Sequence, residues 1–206
     1  MLLVGLVWLL TLGGWMVFSL VRQVREIRTF ADASAKPVTP AQPAAEEITS
    51  LRARLAAFSE AVGKKEKASL RLTAADLNTL LATEEPLAGL KESALVEDIS
   101  PESIRLRISV AVNGMPFSGE RLWINGSAEV TPSIQKSKGV ALATKSLAIP
   151  GKTVTEGFLQ HYKDNGHLDT LLLEPYRKED SSVLALMKKL TTVRSEAGAV
   201  VAEFAP

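Results

Sequence analysis

The chain has 206 residues, with 24 lysines and arginines against 23 aspartates and glutamates, which leaves a formal net charge of +1. This balance excludes the strongly basic surface typical of nucleic-acid-binding proteins, so we expect no nucleic-acid partner. The chain has no cysteine, which excludes disulfides and thiolate metal sites and fits either side of a membrane.

The amino terminus is one uncharged apolar run over residues 2–21, LLVGLVWLLTLGGWMVFSLV. At about 1.5 Å of rise per residue, a helix of this length covers roughly 30 Å, the thickness of a bilayer's hydrocarbon core. We therefore predict a transmembrane anchor over 2–21. A cleaved signal peptide is the main alternative, because Ala33-Ser34-Ala35 has the form of a cleavage site, but charged residues separate that site from the apolar run.

A basic juxtamembrane segment follows the predicted anchor. Arg22, Arg25 and Arg28 lie directly after the apolar run, and nothing cationic except the amino terminus precedes it. The positive-inside rule then predicts that the carboxyl-terminal part lies in the cytoplasm. Alternatively, the three arginines reach the nearest headgroups on either side of the bilayer, so we assign them to the membrane interface.

The rest of the 22–45 region is rich in alanine and proline. Pro37, Pro40 and Pro43 are three residues apart, a spacing that favours an extended chain of about 3.1 Å per residue. We predict a spacer that holds the folded part well away from the bilayer.

Residues 46–65 are predicted to form an amphipathic helix that ends near Gly63. Its apolar side chains recur at alternating intervals of three and four residues: Ile48, Leu51, Leu55, Phe58 and Val62. This stripe either packs on the protein's own domain or forms a contact with a second copy or a protein partner.

Residues 66–206 are predicted to form one α+β domain. A short strand leads into Thr73, which caps a helix with Asp76 in the capping-box position, and the helix stops before Pro86. Asn78 faces away from the leucines of this helix, as a surface residue or as a tie to a neighbouring loop.

The centre of this domain alternates apolar and polar residues, as an antiparallel sheet does. The alternation predicts a meander of about three strands between residues 95 and 149, joined by the strand before Thr73. Asn113-Gly114 marks a turn. Asn125-Gly126 is a second hairpin or an irregularity within one long strand, and we favour a bulge because the alternation keeps its register.

The carboxyl-terminal part is predicted to contain a helix over 153–165 closed by Gly166, and a further helix starting at Ser181 or Ser182. A hairpin around Ala197-Gly198 ends the chain. The predicted fold is thus an amino-terminal transmembrane helix followed by an antiparallel sheet, made of a meander plus a carboxyl-terminal hairpin and packed by several helices.

Four phrases carry a resemblance over about residues 68–204: LRLTAADLNTLL, SGERLWINGSAEV, LAIPGK and LMKKLTTVRSEAGAVVAEF. In them the chain resembles bacterial membrane-anchored proteins of unknown function that are common in verrucomicrobia, and more loosely the YpmS-like single-span proteins. The resemblance implies a single-pass protein of the cell envelope whose folded domain faces away from the cytoplasm.

No catalytic signature is present in the sequence. His161 and His167 are six residues apart and therefore lie on different helical faces, which does not fit a zinc site. The chain also contains no glycine-rich phosphate loop and no Gly-x-Ser-x-Gly turn. We expect a non-enzymatic protein without a cofactor or a metal, whose partner is the lipid bilayer.

Two binding hypotheses follow. In the first, the domain holds a lipid or another apolar ligand in a pocket lined by Phe158, Leu159, Tyr162 and Trp123. In the second, the protein is a structural or assembly scaffold that binds a partner or a second copy through the helix over 46–63.

Overall fold

The computed structural model describes residues 22, 25–113, 121–135, 139–164, 166, 168–170, 172–173 and 182–206. The predicted membrane anchor over 2–21 lies outside these residues. None of the helices in the described part combines the length and the apolar character that crossing a bilayer requires.

The described residues form an α+β fold with two antiparallel sheets, which confirms the predicted fold class. The strands are β1 (Ala68–Thr73), β2 (Ala94–Ile99), β3 (Ile104–Asn113), β4 (Arg121–Gln135), β5 (Gly139–Ala148), β6 (Thr192–Glu196) and β7 (Ala199–Phe204). The helices are α1 (Ala45–Gly63), α2 (Ala74–Thr83), α3 (Glu156–Asp164) and α4 (Ser182–Lys189), with a 3-10 helix at Glu85–Leu90. Residues 25–30, 168–170 and 172–173 are also helical.

The two sheets divide the strands differently from the prediction. The meander has four strands in the order β2-β3-β4-β5, and the second sheet has the order β1-β7-β6. The prediction that the strand before Thr73 joins the meander is therefore wrong. Leu70 and Leu72 lie opposite Ala202 and Val200 of β7, so the apolar face of β1 continues the apolar face of the carboxyl-terminal hairpin.

One face of the meander carries the main core. Alternate residues of β3, from Ile104 to Val110, are buried on this face, and they pair with alternate buried residues of β4 such as Ile124 and Val130. The opposite face carries Arg105, Arg107 and their neighbours and is mostly polar. This is the half-buried pattern that the alternation predicts.

Strand β4 runs through Asn125 and Gly126 in unbroken register with β3, so one long strand is confirmed but the favoured bulge at this point is wrong. The irregularity lies elsewhere, between Glu129 and Val130 on the side that pairs with β5. Gly126 has a different role, since a Cβ there would lie 2.1 Å from the carbonyl oxygen of Ala148. Only glycine lets β5 approach β4 so closely at this point.

Helix α1 confirms the predicted helix, and its apolar stripe is largely internal. Leu51, Phe58 and Val62 are buried, and Phe58 and Val62 pack in one cluster with Leu70 of β1. Ile48 and Leu55 are half-buried. The stripe therefore packs on the protein's own domain, and most of it is not available to a second copy or a partner.

Helix α2 starts as predicted. The Thr73 hydroxyl accepts a hydrogen bond from the Asp76 amide at 3.2 Å, and the Asp76 carboxylate accepts one from the Thr73 amide at 2.8 Å. Asn78 is not a free surface residue, because its side chain connects α2 to β2. Its side chain donates to the Val96 carbonyl at 2.8 Å and accepts from the Val96 amide at 2.7 Å.

The other predicted elements follow closely. Helix α3 starts at Glu156 rather than at residue 153, helix α4 starts at Ser182, and β6 and β7 form the predicted hairpin. The second residue of the predicted Asn113-Gly114 turn, and the residues between β4 and β5, lie outside the described residues.

Candidate functional site

The four residues predicted to line an apolar pocket do not surround one cavity. The Phe158 ring lies between Phe30 and Tyr162, with centroid distances of 4.7 Å and 5.6 Å. Phe30 is fully buried, and Leu159 packs against the same core. Burial also raises the pKa of the Tyr162 hydroxyl to about 12, so this group is neutral at physiological pH.

Trp123 lies on the other side of the meander. It is the neighbour of Ile124 in β4, and Ile124 belongs to the core against which Phe158 packs. Since successive residues of a strand point to opposite faces, Trp123 and Phe158 are separated by the sheet itself. The space that the pocket hypothesis assigned to a ligand is occupied in part by Phe30.

The segment that supplies Phe30 forms the most distinctive feature of the molecule. Residues 31–38, which we call the strap, leave the core beside β4 and cross to the polar face of the meander. At one end, the backbone amides and carbonyls of Asp32 and Trp123 form two hydrogen bonds of 2.8 Å. At the other end, the Val38 amide donates to the Glu92 carbonyl at 2.8 Å, and the Val38 side chain is buried.

Polar side chains of the sheet hold the middle of the strap. Asn125 and Ser109 are 7% and 1% exposed, although both lie on the polar face. The Lys36 amide donates to the Asn125 side-chain oxygen at 2.9 Å, and the Asn125 side-chain nitrogen donates to the Ser34 carbonyl at 3.0 Å. The Ser109 hydroxyl donates to the same Asn125 oxygen at 2.7 Å. Asn125 therefore stands in for a backbone partner of the strap.

The Asp32 carboxylate joins these contacts to the turn after β5. It lies 2.5 Å from the Lys152 ammonium and 2.8 Å from the Lys36 ammonium, and it accepts a hydrogen bond of 2.8 Å from Asn125. The hydrogen bond from Lys152, followed by those from Lys36 and Asn125, holds the pKa of the Asp32 carboxyl far below its usual range. Lys152 also donates to the Ala31 carbonyl at 3.0 Å.

These contacts contradict the prediction of a free spacer for residues 31–38. An extended proline-containing chain is compatible with docking as well as with free extension, and here its backbone groups find partners on the sheet. Only the residues between the strap and α1 remain as a connector.

A groove of about 290 Å³ lies beside the strap, where Lys36, Arg107 and Lys152 face it. Lys36 and Lys152 contact Asp32, and Arg107 pairs with Glu97. Because each of these cations has an acidic neighbour, the groove offers little free charge to an anionic ligand. The geometry of these residues fastens the strap to the sheet.

No group of three or more histidine, aspartate or glutamate side chains suitable for a metal occurs within the described part of the chain. His167 and the side chain of His161 fall outside that part. The predicted membrane-interface residues Arg22, Arg25 and Arg28 are exposed, and they come directly before Phe30 in the chain.

Sequence reasoning missed Phe30, Asp32 and Lys152. Each is a single residue in a stretch without periodicity, so no pattern identifies it as part of the core or of an ion pair. The only available signal was an aromatic residue, Phe30, between a basic segment and a proline-containing stretch.

No protein-family model matches this chain, and no curated protein is significantly similar to it.

Replacing Asp32 by asparagine should loosen the strap. The change keeps a side chain of the same shape but removes the charge that Lys152 and Lys36 contact, and we expect the free energy of unfolding at pH 7 to fall by about 2 kcal/mol. Because the folded-state pKa of Asp32 is lowered, its contribution is present above the unfolded-state value of 3.8 and is lost as the pH falls below it. Denaturant titrations of both proteins should therefore differ at pH 7 and converge toward pH 2.

The matched control is Asp98→Asn, which changes an exposed carboxylate on β2. Its free energy of unfolding should stay within about 0.5 kcal/mol of the original at pH 7. Equal stabilities of the Asp32→Asn and Asp98→Asn variants at pH 7 would contradict the assignment of Asp32.

Proposed function

We propose that this protein is a membrane-anchored, non-catalytic scaffold of the cell envelope, which holds its α+β domain next to the bilayer surface. The anchor is the apolar run over 2–21, and the resemblance to single-span envelope proteins supports the same architecture. The observation that carries the proposal is the complete burial of Phe30, only nine residues after Val21.

The position of Phe30 limits the distance between domain and membrane. Nine residues span at most roughly 31 Å when fully extended and about 14 Å when helical. A free spacer over 31–45 would have added about 46 Å at 3.1 Å per residue. If residues 2–21 cross the bilayer, the docked strap therefore keeps the core within roughly 31 Å of the lipid.

The arginines favour the same arrangement. Arg22, Arg25 and Arg28 lie in the short segment between the predicted anchor and Phe30. There, each contributes about 1 kcal/mol of attraction to an anionic bilayer surface. The attraction decreases over a Debye length of about 8 Å at physiological ionic strength, so it acts only on residues that are held close to the lipid.

A scaffold fits the contacts better than an apolar ligand carrier does. Phe30 and Tyr162 flank the Phe158 ring on the core side of the sheet, and Trp123 lies across the sheet from them. The apolar stripe of α1 is also a poor partner surface, because Phe58 and Val62 pack against Leu70 of β1.

Inserting a Gly-Ser linker of about a dozen residues at two different positions should show whether the strap is docked or is a free spacer. Such a linker adds roughly 19 Å of mean length. Inserted after Arg22, the linker lengthens the segment between the anchor and Phe30. It should then lower energy transfer from a fluorophore at Thr153→Cys to acceptor lipids in a nanodisc. Inserted between Ala41 and Gln42, behind the docked strap, it should leave the transfer unchanged. The chain has no native cysteine, so the label is unique.

The chain without an insertion is the reference, and circular dichroism checks that both variants keep the fold. A decrease of similar size for both insertions would show that the strap does not fix the distance. Absence of energy transfer in the chain without an insertion would contradict the membrane anchor itself.

The cell-envelope location is tested separately with a carboxyl-terminal reporter that is active only outside the cytoplasm. We expect activity, as the resemblance to envelope proteins implies. A stable but silent fusion would instead follow the positive-inside rule and place the domain in the cytoplasm.

A further inference from the structure

The strap contains a sequence of the kind that signal peptidases recognise. Ala33-Ser34-Ala35 places small side chains one and three residues before the peptide bond between Ala35 and Lys36. Ala35 lies fourteen residues after Val21, between the predicted anchor and the folded part of the chain. Cleavage of this bond would therefore separate the anchor from residues 36–206.

The side chains of this sequence are accessible in the docked strap. Ala33 and Ser34 are exposed, and Ala35 is half-buried. The side chain of Lys36, on the other side of the bond, is 70% exposed. A protease that recognises small side chains can therefore reach them without unfolding the sheet.

The backbone around the same bond is occupied. The Lys36 amide, whose nitrogen belongs to the bond, donates to the side-chain oxygen of Asn125 at 2.9 Å and to the Ser109 hydroxyl at 3.2 Å. The Ser34 carbonyl accepts a hydrogen bond of 3.0 Å from the Asn125 side chain. Because Asn125 and Ser109 are almost fully buried, they hold this backbone in place on the sheet.

The docked segment does not fit a protease cleft. A peptide that binds in an extended form forms backbone hydrogen bonds with the protein beside it. In the strap, the Lys36 amide and the Ser34 carbonyl already use theirs on the meander. Cleavage therefore requires the strap to open, and the rate of cleavage follows the population of the open form when opening is fast.

Two residues outside the cleaved sequence control this opening. The Lys152 ammonium lies 2.5 Å from the Asp32 carboxylate and donates to the Ala31 carbonyl at 3.0 Å, which holds the start of the strap. Asn125 holds its middle. A substitution of Lys152 or Asn125 therefore changes docking and leaves the sequence that a protease contacts unchanged.

We propose that the bond between Ala35 and Lys36 is a processing site that the docked strap protects, and that an endoprotease selective for small side chains cleaves it when the strap opens. Water adds across the bond, so that Ala35 gains a carboxylate and Lys36 gains an amino group. The products are residues 1–35, which keep the predicted anchor, and residues 36–206. This inference rests on the proposed membrane anchor, because only an anchored chain is released by the cleavage.

Cleavage would also change the part that is released. Phe30 and Asp32 stay with residues 1–35, so the core loses the ring beside Phe158, and Lys152 loses its carboxylate partner. Once the two products separate, the strap can dock again only by a bimolecular reaction. The cleavage is therefore a one-way step, whereas opening of the intact strap is reversible.

The probe is a purified bacterial signal peptidase, incubated with the full-length chain in detergent micelles. Mass spectrometry measures how fast the fragment beginning at Lys36 forms. We expect slow cleavage of the unchanged chain and at least about tenfold faster cleavage of the Asn125→Ala variant, which loses the side chain that bonds Ser34 and Lys36. Lys152→Gln, which removes the charge beside Asp32, should also accelerate cleavage.

Two control variants accompany this test. Ser127 is half-buried and lies two residues after Asn125 on the same face of β4, so Ser127→Ala should be cleaved as slowly as the unchanged chain. Adding Ala35→Leu to Asn125→Ala should prevent formation of the fragment, because the position before the cleaved bond requires a small side chain. Circular dichroism checks that each variant keeps its sheets, and hydrogen exchange of the Lys36 amide shows whether the strap opens.

Four results would overturn the proposal. The first is equal cleavage rates for the unchanged chain and Asn125→Ala. The second and third concern the variant that carries both Asn125→Ala and Lys152→Gln: continued protection of its Lys36 amide, or free exchange of that amide without a fragment beginning at Lys36. The fourth is formation of that fragment despite Ala35→Leu. The reaction in micelles does not depend on a bilayer, and energy transfer to acceptor lipids tests the anchor separately, so the two failures are distinguishable.

Discussion

The ion pair between Asp32 and Lys152 is the contact on which the architecture depends. It joins the strap to the turn after β5, and the same carboxylate organises Lys36 and Asn125. A charge this well surrounded by donors is stabilised in its ionised form, so the contact persists across the physiological pH range. Without it, the strap would keep its backbone hydrogen bonds to Trp123 and Glu92 and the buried side chains of Phe30 and Val38.

Side chains and one backbone segment also cover exposed backbone groups of the meander. Asn78, Asp169 and the backbone of Asp32 each supply hydrogen bonds where a strand of the meander would otherwise present free backbone groups. Such edges invite pairing with other chains, and covering them keeps a domain from associating indiscriminately.

The sequence predicted the elements whose periodicity is strong. The alternation in β3 and β4, the capping box at Thr73 and the stripe of α1 all depend on local side-chain spacing, and the structure confirms them. The partner of β1 was not predictable in this way, because alternation shows which face is apolar and not which strand lies alongside. The strap was missed because prolines at regular spacing describe an extended backbone equally well whether it is docked or free. Asn78 was ambiguous because an amide can face solvent or a backbone with the same sequence neighbours.

Residues 31–38 belong to the folded domain rather than forming a free spacer. Hydrogen–deuterium exchange of the Asp32, Lys36 and Val38 amides tests it most directly, because each donates to a sheet or turn residue. The account predicts that these amides exchange orders of magnitude more slowly than in an unstructured peptide. Exchange at the rate of a free chain, with β3 and β4 still protected, would contradict it.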